Sequence, residues 1–243
     1  MDKVYEERYS NGRPKLRVYY KNADGEVLSE KWYSNGQMSE RSNWKNGGLD
    51  GLYEGWYKNG QLKVRENYKN SKWDGLAEWW HENGQKWFNV NYKNGLLDGP
   101  YEEWHDNGNL REKSNYKDGK LDGLFQRWYQ NGKLWDRANY KDGEIDGLYE
   151  GWDENGNAIV RINYTNGVSD GLYEEFHENG QLVNQRNYHN GKIDGVCEKW
   201  YKNGQIKFHG NYKDGKRNGV FRWWNEDGRM TACYTYENDK LVS

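Results

Sequence analysis

Short segments in which aromatic and polar residues alternate fill the chain, and turn signals separate them. Two such segments, Leu124–Gln130 and Lys133–Tyr140, flank Asn131-Gly132. Alternation with a period of two predicts strands, and Asn-Gly between two strands predicts a two-residue type I′ turn, in which both residues take a positive φ. A longer connection, Lys141–Gly147, then carries two Asp-Gly pairs towards the next pair of segments. The pattern therefore predicts a β-hairpin followed by a connection.

This hairpin unit recurs every 24 residues, without insertion or deletion. The turn of Asn131 has counterparts at Asn11, Asn35, Asn59, Asn83, Asn107, Asn155, Asn179, Asn203 and Asp227. A fixed period of this length indicates an array of one small unit, and it leaves no room for a helix of ordinary size. We therefore predict an all-β fold, an elongated single-layer twisted antiparallel sheet of about ten stacked 24-residue hairpins.

The ends of the array depart from the pattern, as the ends of repeat proteins do. In the first copy Arg8 replaces the recurring Trp and Pro14 replaces the recurring Leu, and in the last copy Asn238-Asp239 replaces the second turn. We predict a single repeat array over 1–243, with an N-terminal capping repeat at 1–25, central repeats at 26–217 and a C-terminal capping repeat at 218–243.

A two-residue turn would set Trp128 opposite Trp135 and sort the side chains onto two faces. One predicted face carries Phe125, Arg127, Tyr129, Leu134, Asp136, Ala138 and Tyr140. The other carries Leu124, Gln126, Trp128, Trp135, Arg137 and Asn139. The Trp128 and Tyr140 positions are aromatic in most copies, so we expect them to hold neighbouring copies together, with a cost of ~3 kcal/mol or more for Trp128→Ala and less than ~0.5 kcal/mol for Arg127→Ala.

Two polar positions also recur in a way that stacking would favour. Glu54 would lie opposite Arg65, which predicts an exposed cross-strand ion pair. Asn139 has an Asn counterpart in most copies, which predicts a ladder of side-chain amides from copy to copy.

The Arg127, Asp136 and Ala138 positions vary freely between copies. A surface that repeats in frame but varies in chemistry suits a specific protein partner, although neutral drift of exposed positions would produce the same variation. The candidate partner-binding residues are Trp79, His81, Phe88, Tyr101, His105, Phe125, Arg127, Tyr129, Tyr149, Tyr173 and Arg186.

Composition narrows the function classes. The chain holds 14 Trp and 21 Tyr, which can supply buried area, and its net charge of −2 argues against nucleic acid, where a basic stripe is expected. No apolar run approaches ~18 residues, so no membrane span is expected. Cys197 and Cys233 lie 36 residues apart at different repeat positions, which favours reduced thiols. We expect a cytoplasmic protein, a monomer or weak homodimer.

The sequence offers no candidate catalytic site. His81, His105 and His177 all occupy the Tyr129 position, so they are interpreted as aromatic stand-ins and not as metal ligands. No nucleophile elbow, phosphate-binding loop or calcium loop occurs in the sequence. We therefore expect no enzyme activity, no cofactor and no metal.

Two sets of segments resemble known repeats. Tyr53–Gly60 and Tyr149–Trp152 resemble the Tyr-x-Gly-x-aromatic core of MORN repeats. Tyr116–Gly123 and Tyr140–Gly147 resemble the variant MORN repeat of bacterial YwqK-family antitoxins. The resemblance covers nearly the whole chain and implies a sheet of stacked hairpins, binding without catalysis and, in the YwqK group, neutralisation of a partner toxin. The MORN glycine survives only at Gly55 and Gly151.

Two alternative functions remain at this point. Ladders of Trp and Tyr also stack on sugar rings, so carbohydrate or cell-wall binding is the second hypothesis, although the N-terminus lacks the apolar segment of a signal peptide. Binding of lipid headgroups would need a basic patch, which the sequence does not show.

Overall fold

A computed structural model describes residues 3–20 and 25–243. The described residues form 25 strands and no helix. Strands that are neighbours along the chain pair antiparallel, except that a strand followed by a two-residue strand pairs with both that short strand and the one after it. The chain divides into two compact units, Met1–Lys120 and Leu121–Ser243. The predicted all-β fold of antiparallel hairpins is confirmed in each unit. The connection of the first capping repeat, at residues 21–24, lies outside the described residues.

Unit 1 contains eleven complete strands, and the unit boundary falls within the twelfth. They are β1 (Lys3–Arg8), β2 (Pro14–Tyr20), β3 (Glu26–Trp32), β4 (Met38–Lys45), β5 (Gly48–Trp56), β6 (Leu62–Lys69), β7 (Lys72–Trp73), β8 (Gly75–Trp80), β9 (Lys86–Lys93), β10 (Leu96–Trp104), β11 (Leu110–Lys117) and β12 (Lys120–Leu121). Strand β6, for example, pairs with both β7 and β8.

Unit 2 continues the same alternation of long strands and short ones. Its strands are β13 (Gly123–Trp128), β14 (Leu134–Lys141), β15 (Glu144–Ile145), β16 (Gly147–Trp152), β17 (Ala158–Thr165), β18 (Val168–Phe176), β19 (Leu182–His189), β20 (Lys192–Trp200), β21 (Ile206–Lys213), β22 (Lys216–Arg217), β23 (Gly219–Trp224), β24 (Met230–Glu237) and β25 (Lys240–Leu241).

The predicted type I′ turn at Asn131-Gly132 is wrong. Tyr129 N donates to Lys133 O at 2.8 Å and Gly132 N donates to Tyr129 O at 2.9 Å. Gly132 has a φ of 84°, whereas Asn131 is not among the residues with positive φ. The loop is therefore three residues long, a type I turn followed by a glycine bulge. Asn131 is favoured for its side chain instead, because its Oδ1 accepts a hydrogen bond from Lys133 N at 2.9 Å.

The extra loop residue changes the register near the turn. Leu124 pairs with Asn139 and Gln126 with Arg137, as predicted, but the register then shifts and Trp128 pairs with Leu134. The predicted Trp128–Trp135 pair is therefore wrong, and Leu134 and Trp135 exchange faces. The Trp135 ring lies 4.2 Å from the Arg127 guanidinium. Trp135 is therefore on the face of Arg127, and not on the face of Trp128 where a two-residue turn would place it.

The type I′ turn lies in the second connection. Lys141 pairs with Glu144, and Asp142 and Gly143, between them, have φ values of 51° and 92°. The two-residue type I′ turn that was predicted at Asn131-Gly132 is therefore formed by the Lys-Asp-Gly and Lys-Asn-Gly segments of the connections. In at least four copies the Asp of the Asp-Gly pair that opens a strand also holds the next such turn. Asp50 Oδ2 accepts a hydrogen bond from Asn70 N at 3.0 Å. Equivalent bonds are accepted by Asp74, Asp146 and Asp194.

In several copies, side chains bond to the next copy at a fixed offset. Tyr129 Oη donates to Trp152 O at 2.8 Å, and Asn131 Nδ2 donates to Glu154 O at 2.9 Å. Equivalent tyrosine bonds are made by Tyr9, Tyr33, Tyr57 and Tyr201. These bonds satisfy backbone carbonyls at the bulges, where the ladder of backbone hydrogen bonds is interrupted.

The predicted ladder of Asn side-chain amides is wrong. Asn67 Nδ2 donates to the backbone oxygen of Leu76 at 2.7 Å, and Asn43 Nδ2 donates in the same way to Leu52 O. The Asn therefore bonds to the backbone of the next copy. Gly75, with a φ of 108°, packs on Asn67, since an added Cβ would lie 3.3 Å from Asn67 Cβ.

Most of the buried residues lie on one face of the sheet, which we call the packed face. It is formed by the residues at the positions of Phe125, Arg127, Asp136, Ala138 and Tyr140. Asp136 is 1% exposed and Ala138 2% exposed, so the expectation that these variable positions are exposed is wrong. Because each unit is a single layer of strands, neighbouring rings provide this burial: the Phe125 and Tyr140 rings meet edge to face at 5.6 Å.

Candidate interaction surface

The predicted partner-binding residues divide between the packed face and the hairpin turns. Residues on the packed face are Trp79, Phe88, Tyr101, Phe125, Arg127, Tyr149, Tyr173 and Arg186. Residues at the turn position are His81, His105 and Tyr129. All eleven are half-buried, so each presents part of its side chain to solvent.

In unit 1 four of these residues meet in an aromatic cluster. Trp79 stacks on Phe88 with the ring centroids 4.3 Å apart, and Phe88 lies 6.5 Å from Tyr101. His81 reaches the same cluster through Trp87, whose ring lies 5.5 Å from the His81 ring and 5.0 Å from Phe88. Trp87 is 43% exposed and was missed, because the two-residue turn placed its position on the opposite face.

In unit 2 a buried ion pair lies beneath aromatic rings. Arg127 donates to both oxygens of Asp136, from Nε at 3.0 Å and from Nη2 at 2.5 Å. The guanidinium also lies 5.3 Å from the Phe125 ring, and Tyr129 stacks on Trp135 at 5.7 Å. Arg127 is therefore anchored, and it presents a fixed cation beside exposed rings.

Further along unit 2, Arg186 lies between two tyrosines. Its guanidinium carbon is 4.4 Å from the Tyr173 ring and 5.2 Å from the Tyr188 ring. Such contacts with ring faces are attractive for a cation. The structure thus brings the predicted residues Tyr173 and Arg186 together, some copies away from Arg127 along the chain.

The opposite face of the sheet, which we call the ion-pair face, is formed by the positions of Gln126, Trp128 and Arg137. The predicted pair is present: Arg65 Nη2 lies 2.9 Å from Glu54 Oε1, although Glu54 is buried and not exposed. Arg137 pairs with Glu150 of the following hairpin and lies 5.5 Å from the Trp152 ring. The charges of Arg65 and Arg137 are therefore matched within the sheet.

Burial raises the pKa of several tyrosine hydroxyls on the packed face. For Tyr101 the largest cause is desolvation, followed by the charges of Glu103 and Glu112. Tyr149 shows the same direction, with desolvation first and the nearby Asp136 carboxylate second. These hydroxyls therefore remain neutral hydrogen-bonding groups at physiological pH.

No group of three or more His, Cys, Asp or Glu side chains in the described residues is arranged to hold a metal ion. No helix in that part of the chain has the length and apolar character needed to cross a membrane.

Comparison with protein families supplies the identity of the repeat. The family described as MORN repeat variant matches seven segments, which together cover more than half of the chain: 26–46, 49–70, 73–94, 97–118, 121–142, 169–190 and 193–214. The chain belongs to this MORN repeat variant family. Each matched segment covers all or nearly all of both strands of one of the hairpins described above. A search of curated proteins found no match.

Proposed function

We propose that this MORN repeat protein is a non-catalytic scaffold that binds a partner protein through its packed face. The observation that carries the proposal is the set of half-exposed rings on that face, with Trp79, Phe88 and Trp87 in contact in unit 1. Clustered aromatic side chains and anchored Arg are the groups in which binding energy concentrates at protein interfaces. A partner would complete the burial that a single layer of strands leaves unfinished.

The more specific form of the proposal is that the partner is a toxin, which the scaffold neutralises by direct binding. The resemblance of Tyr116–Gly123 and Tyr140–Gly147 to the repeats of YwqK-family antitoxins motivates it. Neutralisation by binding requires an equimolar complex and leaves the toxin chemically unchanged. An enzyme would instead inactivate toxin in excess of its own amount.

Co-purification with the product of the neighbouring gene tests both forms. We expect Trp87→Ala to weaken the complex at least about tenfold, as loss of an aromatic anchor does. Lys113→Ala is the control, because Lys113 is exposed on the ion-pair face, where it pairs with Glu102 at 2.8 Å. Failure to recover any partner, or equal weakening by both variants, would refute binding through the packed face. A neighbour without toxicity would refute the antitoxin form alone.

Carbohydrate binding is the second candidate, and the exposed indole rings favour it. Trp87 and Trp135 are 43% and 41% exposed, and both project at hairpin bulges where a sugar ring could stack. A glycan array distinguishes the two functions. Binding of a glycan by the wild type, abolished in Trp87→Ala and Trp135→Ala, would support carbohydrate binding over the protein scaffold.

A further inference from the structure

One groove on the packed face of unit 2 differs from the rest of that face in its charge. It has a volume of about 310 Å³, and cations and rings line it: Arg186, Lys199, Lys207, Phe208, Tyr212 and Trp223. No carboxylate is among its lining residues. A second hollow of about 380 Å³ shares Lys199 and Lys207 with it and adds His177 and Glu226. A concave site of this kind can hold one or two side chains of another molecule.

The cations of the groove lack the partners that equivalent cations have elsewhere. At the repeat position of Lys199, Lys31 pairs with Glu40 at 2.9 Å and Arg127 with Asp136. The residue opposite Lys199 is Phe208, and no carboxylate in the described residues lies within ion-pair distance of Lys199.

The position of Lys207 shows the same contrast. At this position Arg111 pairs with Glu103 at 2.8 Å, whereas Lys207 lies 5.2 Å from the ring of Tyr201 and has no acidic partner in the described part of the chain. Two exposed lysines beside Arg186 therefore form a local excess of positive charge on a chain whose net charge is −2.

Buried polar atoms without partners gather around the same groove. Among the described residues these atoms include Arg186 Nε, Asn184 Oδ1 and His177 Nε2. Asn184 is 6% exposed and pairs with Lys199 across the strands, and Arg186 pairs with Cys197. A buried polar atom without a hydrogen bond costs free energy and calls for an explanation, such as a ligand that completes it.

We propose that this groove binds an acidic side chain of a partner protein that is followed by an aromatic side chain. The carboxylate would lie among Arg186, Lys199 and Lys207, and the ring would pack on Phe208 and Trp223. The positive charge of the groove is complementary to the carboxylate. Because one side of the groove is cationic and the other is aromatic, the partner needs both a carboxylate and a ring. The inference rests on the proposed function and names the partner's chemistry. Asn184 lies between Lys199 on one neighbouring strand and Glu175 on the other. Glu175 already accepts a hydrogen bond from Tyr173 Oη at 3.3 Å.

Two capped synthetic peptides test the proposal, one containing Glu-Phe-Glu and the other Gln-Phe-Gln. Binding is followed through the indole N–H resonance of Trp223, which is assigned with the Trp223→Phe variant. We expect the acidic peptide to shift this resonance and to bind at least about tenfold more tightly than the neutral peptide at low salt. Lys199→Gln and Lys207→Gln are each expected to weaken the acidic peptide about fivefold, and both residues are exposed, so the fold should be retained.

Lys63→Gln is the matched control. Lys63 occupies the repeat position of Lys207 and lies 5.7 Å from the Tyr57 ring, but Gly55 and Ser42 stand at the repeat positions of Lys199 and Arg186, so the other two cations of the groove have no counterpart beside it. Equal binding of the two peptides, no shift of Trp223, or equal weakening by Lys63→Gln and Lys207→Gln would overturn the proposal.

The partner protein from the co-purification separates this inference from the proposed function. A partner that binds Lys199→Gln and Lys207→Gln as tightly as the wild type would refute the groove and leave the scaffold function standing. Discrimination between the peptides in the absence of any partner protein would support the chemistry of the groove and refute the scaffold function.

Discussion

Removal of the Arg127 side chain should destabilise unit 2 strongly, although sequence alone places Arg127 among the freely varying positions. Arg127→Ala leaves the carboxylate of Asp136 buried, and among the described residues its remaining hydrogen bond is the one from Tyr149 Oη at 3.4 Å. Breaking a buried ion pair by deleting one partner costs roughly 3–5 kcal/mol, and the lost contacts with Phe125 and Trp135 add ~0.5 kcal/mol or more. Because the Arg127 side chain is about one-third exposed, the lower end applies, and we expect a loss of about 3 kcal/mol.

Lys31→Ala is the control at the equivalent position of unit 1. Lys31 pairs with Glu40 at 2.9 Å, but the Lys31 side chain is 49% exposed and Glu40 is more exposed than Asp136. The pair is therefore screened by water, and its loss should cost less than ~1 kcal/mol.

A double variant tests whether the unpaired carboxylate is the cause. Arg127→Gly with Asp136→Val copies the Gly55–Val64 and Gly151–Val160 pairs, which occupy the same positions. Replacing both partners by apolar groups removes the buried charge, so the double variant should recover at least half of the loss caused by Arg127→Ala. Urea unfolding followed by Trp fluorescence supplies the free energies. A cost below ~1 kcal/mol for Arg127→Ala, or no recovery in the double variant, would refute the assignment of the buried face.

Three further outcomes are expected from the same geometry. Tyr57 Oη bonds to the backbone of the next copy, whereas His81 Nε2, at the same repeat position, is buried without a partner among the described residues. His81→Tyr should therefore raise the free energy of unfolding by ~1 kcal/mol, and Tyr57→Phe should lower it by a similar amount. Differential scanning calorimetry would show opposite shifts in Tm. Gly210→Ala should cost roughly 1–3 kcal/mol in chemical unfolding, since the new Cβ would lie 2.5 Å from a ring carbon of Phe221, whereas Gly151→Ala meets only a valine methyl at 3.0 Å and should cost less. Burial raises the pKa of Tyr101 and other packed-face tyrosines, so the folded state keeps protons that the unfolded chain releases above about pH 10, and stability should be level below that pH and fall as the pH rises further; tyrosinate absorbance that develops at the normal pKa without unfolding would contradict it.

The period of the chain is sufficient to predict the hairpins, because Asn-Gly and Asp-Gly at fixed spacing leave little choice of strand boundaries. The pairing of Gln126 with Arg137 follows from the same spacing and is confirmed. The prediction of elongation remains for small-angle scattering to test. What alternation could not supply was the turn geometry, since Asn-Gly suits both a two-residue loop and the three-residue loop that forms.

That single ambiguity explains the errors in the candidate site. One additional loop residue moves Trp135, and with it Trp87 at the equivalent position, onto the packed face. Variation between copies is also a poor sign of exposure, because large rings can cover small neighbouring residues even in a single layer of strands. Ala138, which is 2% exposed, lies opposite the aromatic residue Phe125 of its own hairpin.

The variation itself has a physical explanation at the level of pairs. The positions of Arg127 and Asp136 lie opposite each other, and most copies match them in chemistry. The matched pairs include Lys31–Glu40, Gly55–Val64, Trp79–Phe88, Arg127–Asp136 and Gly151–Val160. A residue that varies together with its neighbour in this way is satisfied within the sheet, so its variation alone does not indicate a partner.

The useful signal is therefore a pair that fails to match. Lys199 lies opposite Phe208, and the adjacent strand sets Asn184 opposite Lys199 on its other side. Lys199 therefore lacks the carboxylate that lies opposite Lys31 and Arg127 at the same repeat position. Lys199 itself is exposed, but Asn184 Oδ1 and Arg186 Nε beside it are buried atoms without partners among the described residues. Such atoms are costly, and a group from outside the chain that completes them would explain their presence. The mismatch at Lys199, and not variability as such, is what directs the search for a partner to this groove.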